Sequence, residues 1–535
     1  MKLRLHFSLT MALLLAMLPG PRAHAASCDS LRNLRLANTT ITAATEVAAG
    51  AFTPPAGATA DGNDLQSSAD LFHHLPAFCR VEAQIKPSAD SDIRVEVWLP
   101  VSNWNKRLMN NGNGGFAGSI NLLSLANAVA ADFAVVSTDT GHRAAPPDGR
   151  WALGHPQKIV DFGWRAIHES TVTAKAIVQG FYGASAEHAY FAGCSNGGRQ
   201  GLMEAQRFPE DYDGIIAGAP AAYWDRLLAS FGWDLQPGER DAAAYIPAAK
   251  VPAIAAAVKQ ACDAAAGVSN GIINDPRRCR FNPDLMLCRN GDADSCLTAP
   301  QVATLKRIYE GPHSTSGEEV NPGFSPGGEA GPGGWALWIT GPNPHQSLQY
   351  LFLTNFFANM VADDANRDLK SFNLDRDYRL AEDKVGRTLN ATDANLARFK
   401  ERGGKLILYH GWSDAAIPPL SSVKYYESVA AAMGKGNAES FVRLYLAPGV
   451  QHCGGGPGPD AFGEFGLMPP LTDPGHNMFA ALEQWVEKGT APGAIIASRA
   501  KAPKIQRPLC PYPQIAKYKG TGDTDDAANF ACTQP

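Results

Sequence analysis

Tyr190-Phe191-Ala192-Gly193-Cys194-Ser195-Asn196-Gly197-Gly198-Arg199-Gln200-Gly201 is the stretch that decides the fold class. Its first three residues read as the end of a buried strand, and Gly198 to Glu204 open a helix. Between them, Gly193 to Gly197 fits G-x-S-x-G, a serine carried on a sharp strand-to-helix turn. The glycines permit the turn, so that the Ser195 oxygen stands clear of the sheet at the helix N-terminus. The plain alternative is a glycine-rich turn that contains a serine by chance. The strand before it and the helix after it favour the nucleophile.

A serine is a weak nucleophile until a histidine takes its proton and a carboxylate holds that imidazole. Working outward along the chain, the apolar run 405–409 leads into His410-Gly411-Trp412-Ser413-Asp414, and the run 441–446 leads into Ala447-Pro448-Gly449-Val450-Gln451-His452-Cys453. The order Ser195, Asp414, His452 is that of an α/β-hydrolase triad. His410 is the rival histidine, but it precedes the acid and reads as a structural neighbour at the strand end. Acyl transfer also needs donors for the developing oxyanion. The N–H of Asn196, next to the nucleophile, is the expected first donor, and the glycine-rich loop 111–118 supplies the second. That loop lacks the Gly-Lys-Ser/Thr ending of a phosphate loop.

The surrounding pattern is an α/β fold. Short β-rich runs at 81–86, 94–99, 107–110, 133–137, 189–192 and 214–217 alternate with helical patterns, notably 164–182 and 198–207, and a further helix is expected at 477–488. This ordering predicts a mostly parallel sheet with antiparallel strands near its start. After Pro220 the rhythm stops, and it resumes only at Lys405. The expected organisation is therefore a hydrolase domain in two parts, 26–220 and 405–535, with a large lid domain, 221–404, inserted between nucleophile and acid.

The whole chain has 535 residues, 45% hydrophobic and 19% charged, which excludes global disorder. A balance of 47 basic and 52 acidic residues, net −5, gives no electrostatic reason to expect nucleic acid or an anionic membrane as partner. Lys2 and Arg4, the apolar run 9–18 and Ala23-His24-Ala25 form the layout of an export signal, residues 1–25, cleaved after Ala25. The run is about half the length of a membrane span. Export places the protein in the periplasm or the medium, where its ten cysteines would form disulfides. Cys262/Cys279, Cys288/Cys296 and Cys510/Cys532 are local pairs. Cys194 and Cys453 flank the proposed nucleophile and base, and would come within disulfide reach if Ser195 and His452 meet.

The Cys-Ser pair at 194–195, the His410 to Asp414 stretch, the His452-Cys453 pair and Arg507-Pro508-Leu509-Cys510-Pro511-Tyr512-Pro513-Gln514 resemble the tannase and feruloyl esterase family, from about Cys28 to Cys532. The resemblance implies an exported serine carboxylic-ester hydrolase for small aromatic esters. It also implies Gly115 and Asn196 as oxyanion donors, and the pairs Cys28/Cys79, Cys194/Cys453, Cys262/Cys279, Cys288/Cys296 and Cys510/Cys532. It implies no catalytic cofactor. A structural calcium site is implied at Asp263, Ala266 and Asn270, with carbonyls of Val268 and Ile272, but here alanine and asparagine stand where the family has carboxylates. Because calcium affinity follows oxygen number and charge, this site is degenerate.

Aromatic residues of the inserted segment, Trp335, Trp338, Tyr350, Phe352, Phe356 and Phe357, are candidate ring contacts or core residues. Residues 335–366 contain no Arg or Lys, so a cationic clamp for a substrate carboxylate is not evident there. Feruloyl or galloyl esters are favoured on that ground. The family includes mono(2-hydroxyethyl) terephthalate hydrolase, which makes a terephthalate-type ester the alternative substrate. An exported serine peptidase and a noncatalytic binding protein of the same fold are the rival functions.

Overall fold

The computed structural model describes residues 26–535 except 56–58, 61–62, 65–68, 264–267, 465–471 and 500–503. The export signal and Ala266 lie outside the described residues. Nine strands form the central sheet: β1 (Thr39–Val47), β2 (Phe78–Ile85), β3 (Ile93–Pro100), β4 (Arg107–Asn111), β5 (Ala134–Thr138), β6 (His188–Cys194), β7 (Gly214–Gly218), β8 (Lys405–Gly411) and β9 (Val442–Ala447). Their order is β1-β2-β3-β5-β4-β6-β7-β8-β9. Pairings from β1 to β5 are antiparallel, and those from β5 through β4 to β9 are parallel. This is the mixed sheet of an α/β-hydrolase.

Side-chain alternation explains why the parallel strands are apolar throughout. Ile215, Leu406 and Leu408 enter one core layer while Ile216, Ile407 and Tyr409 enter the other. A strand buried on both faces has no polar side to present. One layer is closed by α1 (Ala166–Tyr182), α2 (Asn196–Arg207) and a helix at Leu420–Met433, the other by helices at Leu122–Ala130 and Met478–Lys488. α1 stops at Gly183, whose φ of +70° is a left-handed cap.

Among the described residues, 219–404 add no strand to this sheet. They hold α3 (Trp224–Arg240), α4 (Ala299–Glu310) and α5 (Leu348–Asn355), which pack around two cores of their own. One of those cores takes in Phe116, Ala416 and Ile417, so the helical segment is seated beside the C-terminal ends of the parallel strands. Pairs of loops tie it down: Ser413 Oγ donates to Gly327 O (2.9 Å), and Gln451 Nε2 to Gly328 O (3.2 Å).

All five disulfides implied by the resemblance are present. Two features escaped the sequence reading. β1 is an edge strand with an irregular burial pattern, so no clean alternation marks it. The C-terminal region forms two small antiparallel pairs, Ile495–Ser498 with Gln506–Leu509 and Ile515–Tyr518 with Phe530–Thr533, each too short to announce itself. No helix among the described residues is long and apolar enough to cross a membrane.

Candidate active site

Ser195 joins β6 to α2 with φ +64° and ψ −122°, a backbone conformation that side chains other than glycine seldom adopt. The turn is pinned from both sides. Ser195 N donates to Gly218 O at the end of β7 (2.9 Å), and Ala221 N donates to Ser195 O (3.2 Å). The glycines are there for space: a Cβ on Gly193 would lie 2.7 Å from Gly197 backbone atoms, and one on Gly198 would lie 2.3 Å from Gly218 O. The helix therefore begins directly under the serine, with its N-terminal partial positive charge facing the cavity.

Asp414 and His452 stand on the loops after the next two strands, β8 and β9. Ser413 N donates to Val450 O (3.0 Å), so the two loops are held together before any side chain is considered. His452 Nδ1 lies 2.8 Å from Asp414 Oδ2. The other carboxylate oxygen, Oδ1, accepts from Ala416 N (2.7 Å) and Ile417 N (2.9 Å). His410 is 3.0 Å from the same Oδ2 through Nε2, and its Nδ1 meets Ser422 Oγ at 2.7 Å. A proton on His410 Nε2, with the Ser422 hydroxyl donating to Nδ1, satisfies these contacts. The rival histidine is thus a buried second support for the carboxylate. Burial pushes the Asp414 carboxyl up, but the attraction of the His452 ring when protonated and the hydrogen bonds of His410 and His452 outweigh it and hold the group below the usual carboxylate range.

With Nδ1 committed to Asp414, the remaining ring nitrogen of His452 is the free acceptor. Ser195 and His452 line the same two adjoining lobes of one cleft. The wider lobe, about 610 Å³, runs along Asn111 to Gly115, Asn121, Ser124 and Pro146. The narrower lobe is walled by Phe116, Trp224, Leu228, Phe231, Phe352 and Ile417, with Gly115 and Asn196 at its mouth. Trp338 stands edge-on to the His452 ring, centroids 5.2 Å apart. Among the described residues, neither lobe is lined by an Arg, Lys, Asp or Glu. Cys194 and Cys453, one residue from nucleophile and base, are bonded with Cα atoms 5.8 Å apart.

Two supports were not legible in the sequence. Arg199 is fully buried on α2, where its guanidinium reaches Asn196 Oδ1 (2.8 Å) and the carbonyls of Gly163 (2.8 Å), Phe162 (3.2 Å) and Leu389 (3.2 Å). Burial lowers its pKa to about 9. A lone arginine four residues after a serine reads as a surface charge, and no local signal says otherwise. Gln200 Oε1 accepts from Asn113 N (2.9 Å), fixing the glycine-rich loop to the nucleophile helix. The aromatic expectation divides. Trp338 and Phe352 reach the cleft, whereas Trp335, Phe356 and Phe357 face inward in the helical cores, and Tyr350 lines a different cavity.

The described residues of the loop for which the resemblance implies calcium, 263 and 268–272, carry hydrogen bonds of their own. Asp263 accepts from Ser269 Oγ (2.8 Å) and Gly271 N (2.7 Å), and Asn270 accepts from Ile272 N (3.3 Å) while donating to Asp525 (3.0 Å). Ile272 O faces Asn274 Nδ2 at 3.4 Å. A hard divalent cation needs six or more oxygens with several negative charges. Among the described residues of the expected ligand set, one carboxylate already engaged by two donors, beside a neutral amide, is a poor fit for such an ion.

A sequence model of the family described as tannase and feruloyl esterase matches residues 79–533. The chain is 42% identical to an uncharacterised esterase of Xanthomonas campestris pv. campestris, over 98% of this chain and 94% of that protein. It is 33% identical to the mono(2-hydroxyethyl) terephthalate hydrolase of Piscinibacter sakaiensis, over 96% and 93%. The crystal structure of feruloyl esterase B from Aspergillus oryzae superposes with a TM-score of 0.85 at 28% identity, covering 95% of this chain and 99% of that one. With the match running through both halves of the sheet, the chain belongs to the tannase and feruloyl esterase family and is a carboxylic ester hydrolase.

Proposed function

We propose that this hydrolase is an exported serine esterase that cleaves uncharged aromatic esters, such as feruloyl or galloyl esters, through an acyl-enzyme. Ser195 attacks the ester carbonyl, and His452 takes its proton and later returns one to the leaving alcohol. Asp414 keeps the proton of the imidazole on Nδ1, and the N–H groups of Gly115 and Asn196 receive the oxyanion. The observation that carries this reading is the cleft itself, where the free edge of a carboxylate-held His452 and the raised Ser195 share one cavity. The narrower lobe, about 40 Å³, offers apolar walls for the edge of a planar acyl ring, and the wider amide-lined lobe gives room to the rest of the ester. The layout of residues 1–25 and the five disulfides support export.

The relative from Piscinibacter sakaiensis raises a terephthalate-type ester as a second reading. Its acyl carboxylate would enter a cleft with no Arg or Lys in its lining among the described residues, and an unpaired buried charge is costly. Purified protein assayed on methyl ferulate, methyl gallate, mono(2-hydroxyethyl) terephthalate and a peptide panel should show kcat/KM about 100-fold higher on the better neutral ester than on the terephthalate monoester, the ratio that ~2.7 kcal/mol gives. Equal or better turnover of the terephthalate ester would overturn the substrate reading. Cleavage of peptides alone would overturn the esterase mechanism for this cleft.

The loop at 263–272 is proposed to hold itself without an ion. Chelation with EDTA should then move the melting temperature by less than about 1 °C, because ligand stabilisation vanishes when affinity is weak. A fall of more than about 5 °C, reversed by calcium, would show the remaining oxygens to be sufficient.

A further inference from the structure

A second cavity, about 310 Å³, lies inside the helical segment between α3, α4 and residues 339–350, and it shares no lining residue with the cleft of Ser195. That is the size of a small-ligand pocket. Its walls are mostly carbon: Leu235, Ile246, Ile308 and Ile339, with the rings of Tyr245 and Tyr350. Three of the hydroxyl groups around it are engaged with the protein. Tyr245 donates to Thr340 O (3.0 Å), Thr304 to Ala244 O (2.9 Å), and Ser347 accepts from Tyr350 N (3.2 Å).

One polar group in this lining calls for a ligand. Asp234 is 4% exposed, and its Oδ2 is met by Gln349 Nε2 at 3.2 Å, a long and single contact for a buried carboxyl. The opposite atom of that amide, Gln349 Oε1, is itself buried without a partner. At the mouth, Glu239 pairs with His345 (2.9 Å), which is stacked on Tyr350 and held at φ +68°.

We propose that this cavity is a second binding site, taking a small hydroxylated aromatic molecule with its hydroxyl on Asp234 and its ring among Leu235, Ile246, Ile308 and Ile339. The alternatives fit less well. Lys370 also lines the cavity and could meet an anion, but a carboxylate seated against Asp234 would face that group and, beside His345, Glu239. A cationic amine would need Asp234 ionised, while burial pushes that carboxyl well above its ordinary range against the opposing effects of Gln349 and Arg307. Arg307, near enough to act on Asp234, would also repel a second cation. A neutral hydroxyl can donate to or accept from the carboxyl without burying a charge. A plain hydrocarbon would fill the walls but leave the carboxyl unanswered.

Phenol and toluene, nearly equal in shape, are the probes. Calorimetric titration of the intact protein should show saturable phenol binding with a Kd at or below about 1 mM and toluene at least about 10-fold weaker. Asp234→Leu should reverse that preference while leaving ester turnover unchanged. Crystals grown with 4-bromophenol should carry the anomalous bromine signal between α3 and α4. Failure of phenol to saturate by about 10 mM, an unchanged preference in the Asp234→Leu protein, or bromine confined to the cleft of Ser195 would each overturn the proposal. Should Asp234→Leu not fold, Ala244→Leu, which fills the cavity from another wall, must abolish phenol binding. The readout is binding, so it stands or falls separately from the ester specificity of the cleft.

Discussion

Ser195→Ala is expected to lower ester turnover by about 10⁴- to 10⁶-fold with the fold intact. On the proposed mechanism the loss is large because the remaining groups have no bond to make: His452 still leans on Asp414 and Asn196 still lines the cleft, but no nucleophile stands between them. Structure should survive, since the strained turn is held by backbone bonds to Gly218 and Ala221 that an alanine also makes. Alanine carries a Cβ like serine, so the φ of +64° becomes no more strained than it already is. Steady-state hydrolysis of an aryl ester, with a melting curve on the same sample, checks both halves. A well-folded variant that keeps even a tenth of the activity would show that another group attacks the ester.

Removing the bond beside the nucleophile should have the second largest effect. A Cys194→Ser/Cys453→Ser protein is expected to lose about 100-fold in kcat or more, because Cys453 fixes where the base stands and a displacement of about 1 Å is enough to cost that much. Stability should fall as well. The bond spans 259 residues, and the chain-entropy account gives roughly 5 kcal/mol for closing so long a loop, an upper figure here because four other disulfides also restrain the chain. Wild-type kcat in the double variant would mean that the loops at Val450 and Ser413 position His452 without covalent help.

The parts of this site that were legible in the sequence are those with a local signature. Gly193 to Gly197 declares its turn because small residues are needed where α2 crosses the backbone of Gly218. Asp414 and His452 each follow an apolar run that can only be a buried strand, so their order alone suggested neighbouring loops. What stayed hidden is interaction over distance. Arg199 is buried because carbonyls at Phe162, Gly163 and Leu389 converge on it, and none of the three is close to it in the chain. The aromatic residues of the inserted segment could not be sorted into ring contacts and core residues for the same reason. Trp335 and Trp338 lie within one short helix, Trp335–Trp338, yet only Trp338 faces His452. Which way each points follows from what the helix packs on, not from its composition.

The bond between Cys194 and Cys453 also gives the enzyme a schedule. A ribosome delivers Cys194, beside the proposed nucleophile, 259 residues before its partner Cys453, so the bond can close only after that much more of the chain has been made. Even a full-length chain lacks the bond until it meets an oxidant, and reducing surroundings keep it open. If the double variant loses activity as expected and the chain is exported as proposed, synthesis and activation are separated in place as well as in time: the cell that makes the esterase would hold a poorly active chain among its own esters and release a working one only beyond its reducing interior.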